Sequence, residues 1–514
     1  MTFNLQRAGI ALLASMLLLV VGCSEPVVEA PATNTPPAAA SAAEETVSGP
    51  FQATGMKIGE VTDTGAIIWT RLTRLAQAIG TESPMPEFLY LVPGEDEPRE
   101  IQISRPFPHD NVPVVNYPEG HTIETIEGQA MGAPGEARVL YRIEGTDNWA
   151  ITPWAAVDEE RDFTRRFTLT GLEPATGYEI VVEARSLGGG AATSTLEGSF
   201  ATAPSPDVPA RVVFTSVTGT DYEDQDGPDG GFRIHQAMMD LGTDFFVHTG
   251  DIIYYYPFAK NIDLARWGWA RMFSLDSVRD FHRRVPTYFM KDDHDTWQDD
   301  TWPSQESLFM GDLTFQDGIE IFKEQMPIDG VTYRTFRWGQ DVQIWVVEGR
   351  DYRDANMDPD GPGKSIWGEE QKTWFKETVA ESDATFRILI SPTPLVGPDN
   401  ADKWDSHANE IWTYEGDELR QFLADNDMIV ICGDRHWQYV SMDDETGLRE
   451  YATGPASDVH AGGWTQGYRP EHLYVNVVGG FLSVTAERQD GGPTLTLRNH
   501  DVDGGVLFED MLVR

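Results

Sequence analysis

The sequence predicts a layered α/β domain that follows a smaller β-sandwich domain. Three observations support this fold class. Short β-branched and aromatic runs lie between turn clusters in parts of 51–204. From residue 210 onwards, apolar runs of strand length alternate with helix-length segments, an order typical of parallel βαβ units. A chain of 514 residues also exceeds the usual size of one core, so more than one domain is expected.

Residues 1–22 have the pattern of a secretory signal peptide. Arg7 precedes an apolar run over 8–21, which is shorter than the ~20 residues that cross a bilayer. The run ends in LVVGC, and this segment resembles the lipobox of bacterial lipoproteins. The resemblance implies cleavage before Cys23, acylation of its thiol, and a lipid-anchored protein in the cell envelope, on the periplasmic or outer-membrane face. Residues 23–49 are rich in Pro, Ala and Glu and are predicted to be a flexible linker.

Residues 50–205 are predicted to form the β-sandwich. Residues 66–70 form a β-branched and aromatic run after a turn cluster. The cluster over 171–177 leads to Tyr178, which opens another run, as at the E–F corner of fibronectin type III and immunoglobulin-like sandwiches. The stretch 75–145 is rich in Pro and Gly and is predicted to be long loops or an insertion within the sandwich. Since this domain contains no motif that suggests chemistry, we expect it to be a structural module.

Residues 210–514 are predicted to form the α/β domain. The predicted buried strands are 211–215, 243–248, 285–290, 342–347, 386–390 and 428–432. The predicted helices include 232–241, 368–382 and 417–425. In such sheets, sites form where strands end and loops begin, so the residues after each strand are the candidates for chemistry.

Three of these strands end in groups of potential metal ligands, namely GDIIY (250–254), DDH (292–294) and GDRH (433–436). Each motif alone is common as a turn or a helix cap. Together, at three strand ends of one domain, they predict a site for two or more divalent or trivalent metal ions. Two cations about 3.5–4 Å apart are used for in-line phosphoryl displacement. Carboxylate and imidazole ligands suit Ca, Mn, Fe or Zn, so the residue types leave the metal open.

The order of these motifs resembles the PhoD-like alkaline phosphatases, a branch of the calcineurin-like metallophosphoesterases, over most of 50–514. The resemblance implies that Asp251 bridges two metals and that Tyr254 is a phenolate ligand. It places Asp293 where the superfamily has an Asn ligand, and it makes His294 the residue that protonates the leaving alkoxide. It also implies that Asp434 and His436 replace the two histidines of the GHxH motif.

The charge that develops on a transferring phosphoryl group needs cationic donors. Arg435 lies inside the third motif and is a candidate catalytic residue. The further candidates for phosphate binding follow two other predicted strands and are Arg350, Arg353, Lys403 and His407. For each of these four, a surface salt bridge is the alternative interpretation.

The chain lacks two residues of the family and superfamily pattern, a Cys ligand and a histidine. Val217 stands at the position of the family's Cys ligand and cannot bind a metal. Asp221 or Thr218 could replace it as an oxygen ligand, which would favour Ca, Mg or Mn. Cys432 lies on a predicted buried strand and is expected to be an inert core residue. The histidine that the superfamily has after the strand at 386–390 is also absent.

The sequence therefore predicts an exported phosphoesterase of the alkaline phosphatase or phosphodiesterase type, which attacks small phosphate esters with a metal-activated hydroxide. With 83 acidic and 38 basic residues, the net charge of −45 argues against a nucleic-acid partner and against membrane contact other than through the lipid anchor. A non-catalytic, metal-containing surface lipoprotein is one alternative, although His294 favours an enzyme. A phospholipase-like or extracellular nuclease phosphodiesterase is another.

Overall fold

The strands and helices follow the hydrophobic pattern of the sequence. The computed structural model describes residues 49–104, 107–228, 230–400 and 402–514, so the predicted signal peptide and Cys23 lie outside the described residues. The helices are α1 (Ile234–Asp240), α2 (Ile262–Phe273), α3 (Asp276–His282), α4 (Phe315–Gln325), α5 (Gly368–Glu381) and α6 (Thr413–Asp425). Within these ranges, no helix has the length and apolar character that a membrane span requires.

The strands up to the predicted domain boundary are β1 (Met56–Gly59), β2 (Gly65–Arg71), β3 (Glu87–Leu91), β4 (Val112–Asn116), β5 (Glu136–Ile143), β6 (Ala150–Ile151), β7 (Ala155–Ala156), β8 (Thr164–Thr170), β9 (Gly177–Arg185) and β10 (Ser194–Ala201). The strands after it are β11 (Val212–Val217), β12 (Phe245–Thr249), β13 (Thr287–Met290), β14 (Arg334–Trp338), β15 (Val342–Val346), β16 (Phe386–Ser391), β17 (Met428–Cys432), β18 (Gln438–Met442), β19 (Arg449–Ala452), β20 (His472–Asn476), β21 (Phe481–Gln489), β22 (Gly492–His500) and β23 (Val506–Val513).

Two mixed sheets form the centre of the α/β part. The first has the order β23-β22-β21-β11-β12-β13-β1-β2-β8, and the second has the order β14-β15-β16-β17-β19-β18-β20. The runs β11-β12-β13 and β15-β16-β17 are parallel. Parallel neighbours need crossover connections, and α1, α2, α3, α5 and α6 lie in these connections. The layered α/β fold class is therefore confirmed, although the parallel strands are divided between two sheets.

The inner faces of the two sheets pack on each other and form one hydrophobic core. Phe245 of β12 lies 4.7 Å, between ring centroids, from Trp338 of β14. Tyr288 of β13 stacks on Phe336 at 4.0 Å. The outer faces pack against helices in two further clusters. The order of layers is therefore helix, sheet, sheet, helix. Both parallel runs belong to sheets that share one core.

The N-terminal part contributes strands to two sheets. One is a separate antiparallel sheet with the order β10-β9-β5-β6, in which β7 also pairs with β5. The hydroxyl of Tyr178 accepts a hydrogen bond from the Glu173 amide at 2.8 Å, which is the contact of a tyrosine corner. Strands β1, β2 and β8 instead belong to the first central sheet, through the pairing of Gly59 with Thr287. Strands from both sides of residues 205–210 therefore share one sheet.

The stretch 75–145 is more ordered than its composition indicates. It contains the antiparallel pair β3–β4 and all of β5, where the sequence predicted long loops or an insertion within the sandwich. Tyr90 of β3 stacks on Phe309 with 4.7 Å between ring centroids. Packing against the segment that contains Phe309 therefore stabilises strands that the local sequence pattern does not indicate.

Tyr288 connects the two sheets, because its hydroxyl donates to the Val61 carbonyl and accepts a hydrogen bond from Trp338 Nε1 at 2.8 Å. We expect Tyr288→Phe to leave both buried groups without a partner and to cost about 1–3 kcal/mol of stability for each group. A fall in Tm measured by thermal unfolding would check this. Tyr468, which is 65% exposed, supplies the control Tyr468→Phe. An equal Tm for the two variants would contradict the expected role.

Candidate metal centre

The three motifs meet where strands of both sheets end. Strands β12 and β13 end directly before Gly250 and Lys291, and β17 of the other sheet ends directly before Gly433. A Cβ at Gly433 would lie only 2.7 Å from the carbonyl oxygen of Thr249, so the two sheets touch at this point. The Asp434 amide donates to Thr218 Oγ1 at 3.1 Å across the same junction. The meeting of strand ends that the sequence predicted is therefore present.

The backbone at this junction is held in an uncommon conformation. Asp251 and Asp434 have φ angles of 58° and 62°, in the left-handed region that residues other than glycine rarely adopt. Such strain clusters at functional sites, where the surrounding structure enforces it. Here Asp295 provides part of that enforcement, because its carboxylate accepts the Ile252 amide at 3.0 Å and the Asp292 amide at 2.6 Å. The loops after β12 and β13 are thus tied together.

One set of donor atoms lies around Tyr254. Its hydroxyl oxygen is 3.1 Å from His436 Nε2, 3.4 Å from Asp251 Oδ2 and 2.6 Å from His460 Nε2. His436 Nε2 is also 3.1 Å from Asp251 Oδ2. Tyr254 and Asp251 are buried, and the two imidazoles are partly buried. The structure therefore brings together three residues of the sequence motifs and adds His460, which the motifs did not include.

A second set of donors is formed by carboxylates. Oxygen atoms of Asp292, Asp293 and Asp434 lie within 4.8 Å of one another, and all three residues are buried. Asp251 forms another group of this kind with Asp293 and His294. Since Asp251 also contacts His436, it lies between the two sets, which is where a residue that bridges two cations must lie.

The electrostatics of these groups fit bound cations. Burial, and then the charge of Asp293, raise the pKa of Asp251 well above its ordinary value. Asp251 Oδ1 and Asp292 Oδ2 are buried, and among the described residues they have no hydrogen-bond partner. Leaving buried carboxylate oxygens unpaired is costly, and a metal ion would offset that cost. Carboxylate, phenol and imidazole donors suit hard and borderline cations, so the residues present fit a metal centre.

Two buried arginines hold the carboxylates in place. Arg350 Nε contacts Asp292, and its Nη2 lies 2.9 Å from Asp405 Oδ2. Arg435 Nη2 lies 3.2 Å from Asp405 Oδ1, and its Nη1 contacts Asp434. Asp405 therefore joins the two guanidinium groups. Both arginines therefore position acidic residues of the site, and the phosphate-binding and catalytic roles that the sequence proposed for them stay predictions.

His294 lies on one side of the cluster. Its ring centroid is 4.5 Å from that of Tyr254, and its Nε2 is 3.9 Å from Asp299 Oδ1. Lys403 Nζ lies 3.9 Å from the same Asp299 oxygen and 2.6 Å from Asp300 Oδ1. Burial lowers the pKa of His294, while the neighbouring carboxylates oppose that effect. His294 and Lys403 thus share the neighbour Asp299, and the acid role of His294 and the phosphate-binding role of Lys403 stay predictions.

Two other candidates for phosphate binding, His407 and Arg353, contact residues in or next to α6. His407 Nε2 lies 2.9 Å from Glu415 Oε2 of α6, and the imidazole is fully buried. Arg353 donates to Asn356 Oδ1 at 2.6 Å and lies over the ring of Trp412. The structure does not bring these two side chains into the donor sets, and their role in phosphate binding stays a prediction.

The segment that departs from the family pattern borders the site without supplying a thiol. Val217 is buried in an apolar cluster, and Cys432 is buried with its sulfur 3.3 Å from the hydroxyl of Tyr439. Burial raises the pKa of the Cys432 thiol well above its ordinary value. Asp221 accepts the Glu223 amide at 3.0 Å and lies in a group of potential ligands with Asp224 and His460.

Comparisons with known proteins agree with this geometry. The family model of the PhoD-like phosphatases matches residues 214–469. The chain belongs to the PhoD-like phosphatase family. The family resemblance read from the motifs is thus confirmed. No curated protein matches the chain.

Two solved structures share the fold. A structure of PhoD is 16% identical with a TM-score of 0.65, and the alignment covers 92% of this chain and 90% of that one. The purple acid phosphatase PPD1 from yellow lupin (Lupinus luteus) seeds is 13% identical with a TM-score of 0.60, and the alignment covers 91% of this chain and 75% of that one. At these identities the likeness establishes the fold alone. The PhoD-like fold of this chain therefore extends well beyond the matched segment.

Gly250 permits the approach of the two loops, because a Cβ there would lie 2.6 Å from Asp292 Cβ. We expect Gly250→Ala to displace Asp251 or Asp292 and to lower the number of metal ions that the purified protein retains, measured by elemental analysis. Gly242→Ala is the matched control, since Gly242 also has a positive φ of 68° but no atom within 4 Å of its Cβ position. Equal metal content in the two variants would show that close approach at Gly250 is not required.

Proposed function

We propose that this protein is an exported, metal-dependent phosphoesterase of the alkaline phosphatase or phosphodiesterase type. The observation that supports this most directly is the position of Asp251 between two donor sets, with His294 beside them. Membership of the PhoD-like phosphatases supports the same reaction class. The part of the proposal that concerns export and the lipid anchor rests on the sequence pattern before and at Cys23.

The donor sets divide the binding of the cations between them. Tyr254 and His436 would hold one ion, the carboxylates of Asp293 and Asp434 would hold the other, and Asp251 would be shared. When bound, the cations would supply a nucleophile near neutral pH by lowering the pKa of water, and they would reduce the negative charge of the phosphate group. The chain itself supplies the position of each donor through the strained backbone at Asp251 and Asp434.

In this proposal His294 protonates the leaving alkoxide oxygen. Its amide donates to Asp293 Oδ1 at 2.9 Å, which orients the loop toward the carboxylates. Its Nδ1 is buried and has no hydrogen-bond partner among the described residues. An imidazole is suited to this step because it exchanges a proton in the physiological pH range. Lys403, beside it, supplies a positive charge on the same side.

A cavity of about 480 Å³ lies on the His294 side and offers space for the leaving group. Its lining includes Asp299, Trp302 and Trp404. Tyr256 joins this cavity to the site, because its ring centroid lies 5.2 Å from His294 and 5.9 Å from Phe107, which also lines the cavity. A lining of aromatic rings and carboxylates favours esters of bulky, uncharged alcohols over polyanionic ones.

The reaction class is tested with purified protein that has been depleted of metal and then loaded with Ca, Mn, Fe or Zn. We expect one or more of these ions to support hydrolysis of p-nitrophenyl phosphate or bis(p-nitrophenyl) phosphate, and a chelator to abolish it. The ratio of the two rates would decide between monoester and diester preference. If neither ester is hydrolysed with any ion, the catalytic proposal fails and the alternative of a non-catalytic, metal-containing lipoprotein is favoured.

The role of His294 is tested with His294→Ala and two leaving groups. We expect the variant to retain its metal ions but to lose about 10²–10⁴-fold in rate on an alkyl phosphate, because removal of a general acid has effects of this size. The loss on a nitrophenyl ester should be smaller, since nitrophenolate leaves without protonation. The control is His121→Ala, which alters a turn where His121 contacts Thr125. Equal losses on the two esters would exclude His294 as the acid.

A further inference from the structure

We infer that His460 occupies the ligand position that the family's cysteine leaves vacant here, and that it completes a nitrogen-and-oxygen metal site with Tyr254, His436 and Asp251. This site belongs to the same metal centre on which the proposed function rests. His460 lies outside the sequence motifs, in the segment between β19 and β20. Its assignment therefore depends on the geometry around Tyr254.

The distances between the donor atoms match those of ligands that share one cation. With metal–ligand bonds of about 2.1 Å, neighbouring donors in an octahedral site lie about 3 Å apart. Tyr254 Oη is 2.6 Å from His460 Nε2 and 3.1 Å from His436 Nε2. The centroids of the two imidazoles are 4.3 Å apart. Both imidazole nitrogens thus lie within 3.1 Å of the phenol oxygen, at separations that ligands of one cation have.

The protons available in this group are too few to satisfy all of its acceptors at the same time. Asp224 Oδ2 lies 2.7 Å from His460 Nδ1, so the carboxylate accepts the Nδ1 proton and leaves a lone pair on Nε2. Tyr254 has a single hydroxyl proton and can donate to only one of its neighbours. A cation would accept all of the lone pairs at once. A carboxylate behind the distal nitrogen is also the usual companion of a metal-bound histidine.

His460 lies directly beside the segment that follows Val217. A Cβ at Gly219 would be 3.0 Å from His460 Cδ2 and 3.1 Å from His436 Nε2. The Ala456 amide donates to the Gly219 carbonyl at 3.0 Å, which holds the loop of His460 against this segment. Val217 itself is buried in an apolar cluster. The loop between β19 and β20, which is distant from Val217 in sequence, therefore brings a potential ligand to the region where the thiol is missing.

The remaining candidates for that position have other roles. Asp221 accepts the Glu223 amide and so fixes the turn that presents Asp224 to His460. Thr218 Oγ1 accepts the Asp434 amide. A ligand set without a thiolate favours harder or borderline cations over soft ones. Asp224 is then a positioning residue, and His460 is the ligand.

The test counts metal ions and does not require an ester substrate. Wild-type protein, His460→Ala, Asp224→Asn and the control His121→Ala are stripped of metal, loaded with Zn²⁺ or Mn²⁺, desalted and analysed for metal per chain. We expect two ions in the wild type and the control, and one in His460→Ala. Asp224→Asn should keep two ions but bind one of them about 10–100-fold more weakly in a calorimetric titration, as for other groups behind metal ligands.

Two results would overturn the assignment. One is a His460→Ala protein that binds two ions with unchanged affinity. The other is loss of both ions, since Asp292, Asp293 and Asp434 should keep theirs. Thermal unfolding of the metal-free proteins checks that the variant is folded. If the wild type binds two ions but hydrolyses no ester, the proposed function fails while the role of His460 remains supported.

Discussion

Several carboxylates are buried together at one place, and the structure depends on positive charges that offset the repulsion between them. Asp251, Asp292 and Asp293 are each fully buried, and Asp434 is nearly so. Burial alone would raise the pKa of Asp293, but the charges of His294 and Arg350 outweigh that effect and hold its pKa below the usual value. Like charges this close are stable only with cations among them. The arginines supply part of that charge, and metal ions bound to the carboxylate oxygens that have no partner among the described residues would supply more.

The two-sheet architecture makes this concentration of charge possible. Parallel strands end on the same side of a sheet, and packing two sheets face to face doubles the number of ends that meet. The core between them, with Phe245 against Trp338, fixes the distance between the two sets of ends. Asp405 then joins Arg350 and Arg435, which follow β15 and β17 of the second sheet. The packed core fixes the strand ends, and the arginines that follow these strands hold the carboxylates in place.

The sequence predicts the carboxylates at the strand ends, because a short apolar run followed by a polar motif indicates both a strand and the residue at which it ends. The positions of Asp251, Asp293 and Asp434 follow from that pattern. The pattern does not say which strands share a sheet, so the division into two sheets and the pairing of Gly59 with Thr287 could not be predicted. His460 was missed because it lies in a glycine-containing loop between strands, without a strand end to mark it.

The overall acidity and an anionic substrate are compatible because they act over different distances. The net charge of −45 is spread over the whole chain, and salt screens such a field beyond about 8–10 Å. A phosphate group at the site would instead experience nearby charges that are buried and poorly screened, including Arg350, Arg435 and bound cations. The acidic residues would then repel an anionic leaving group, because Asp299 lines the cavity proposed for it. If the proposed function is correct, the positions of the two kinds of charge would by themselves favour uncharged leaving groups over polyanionic ones, without a separate recognition element.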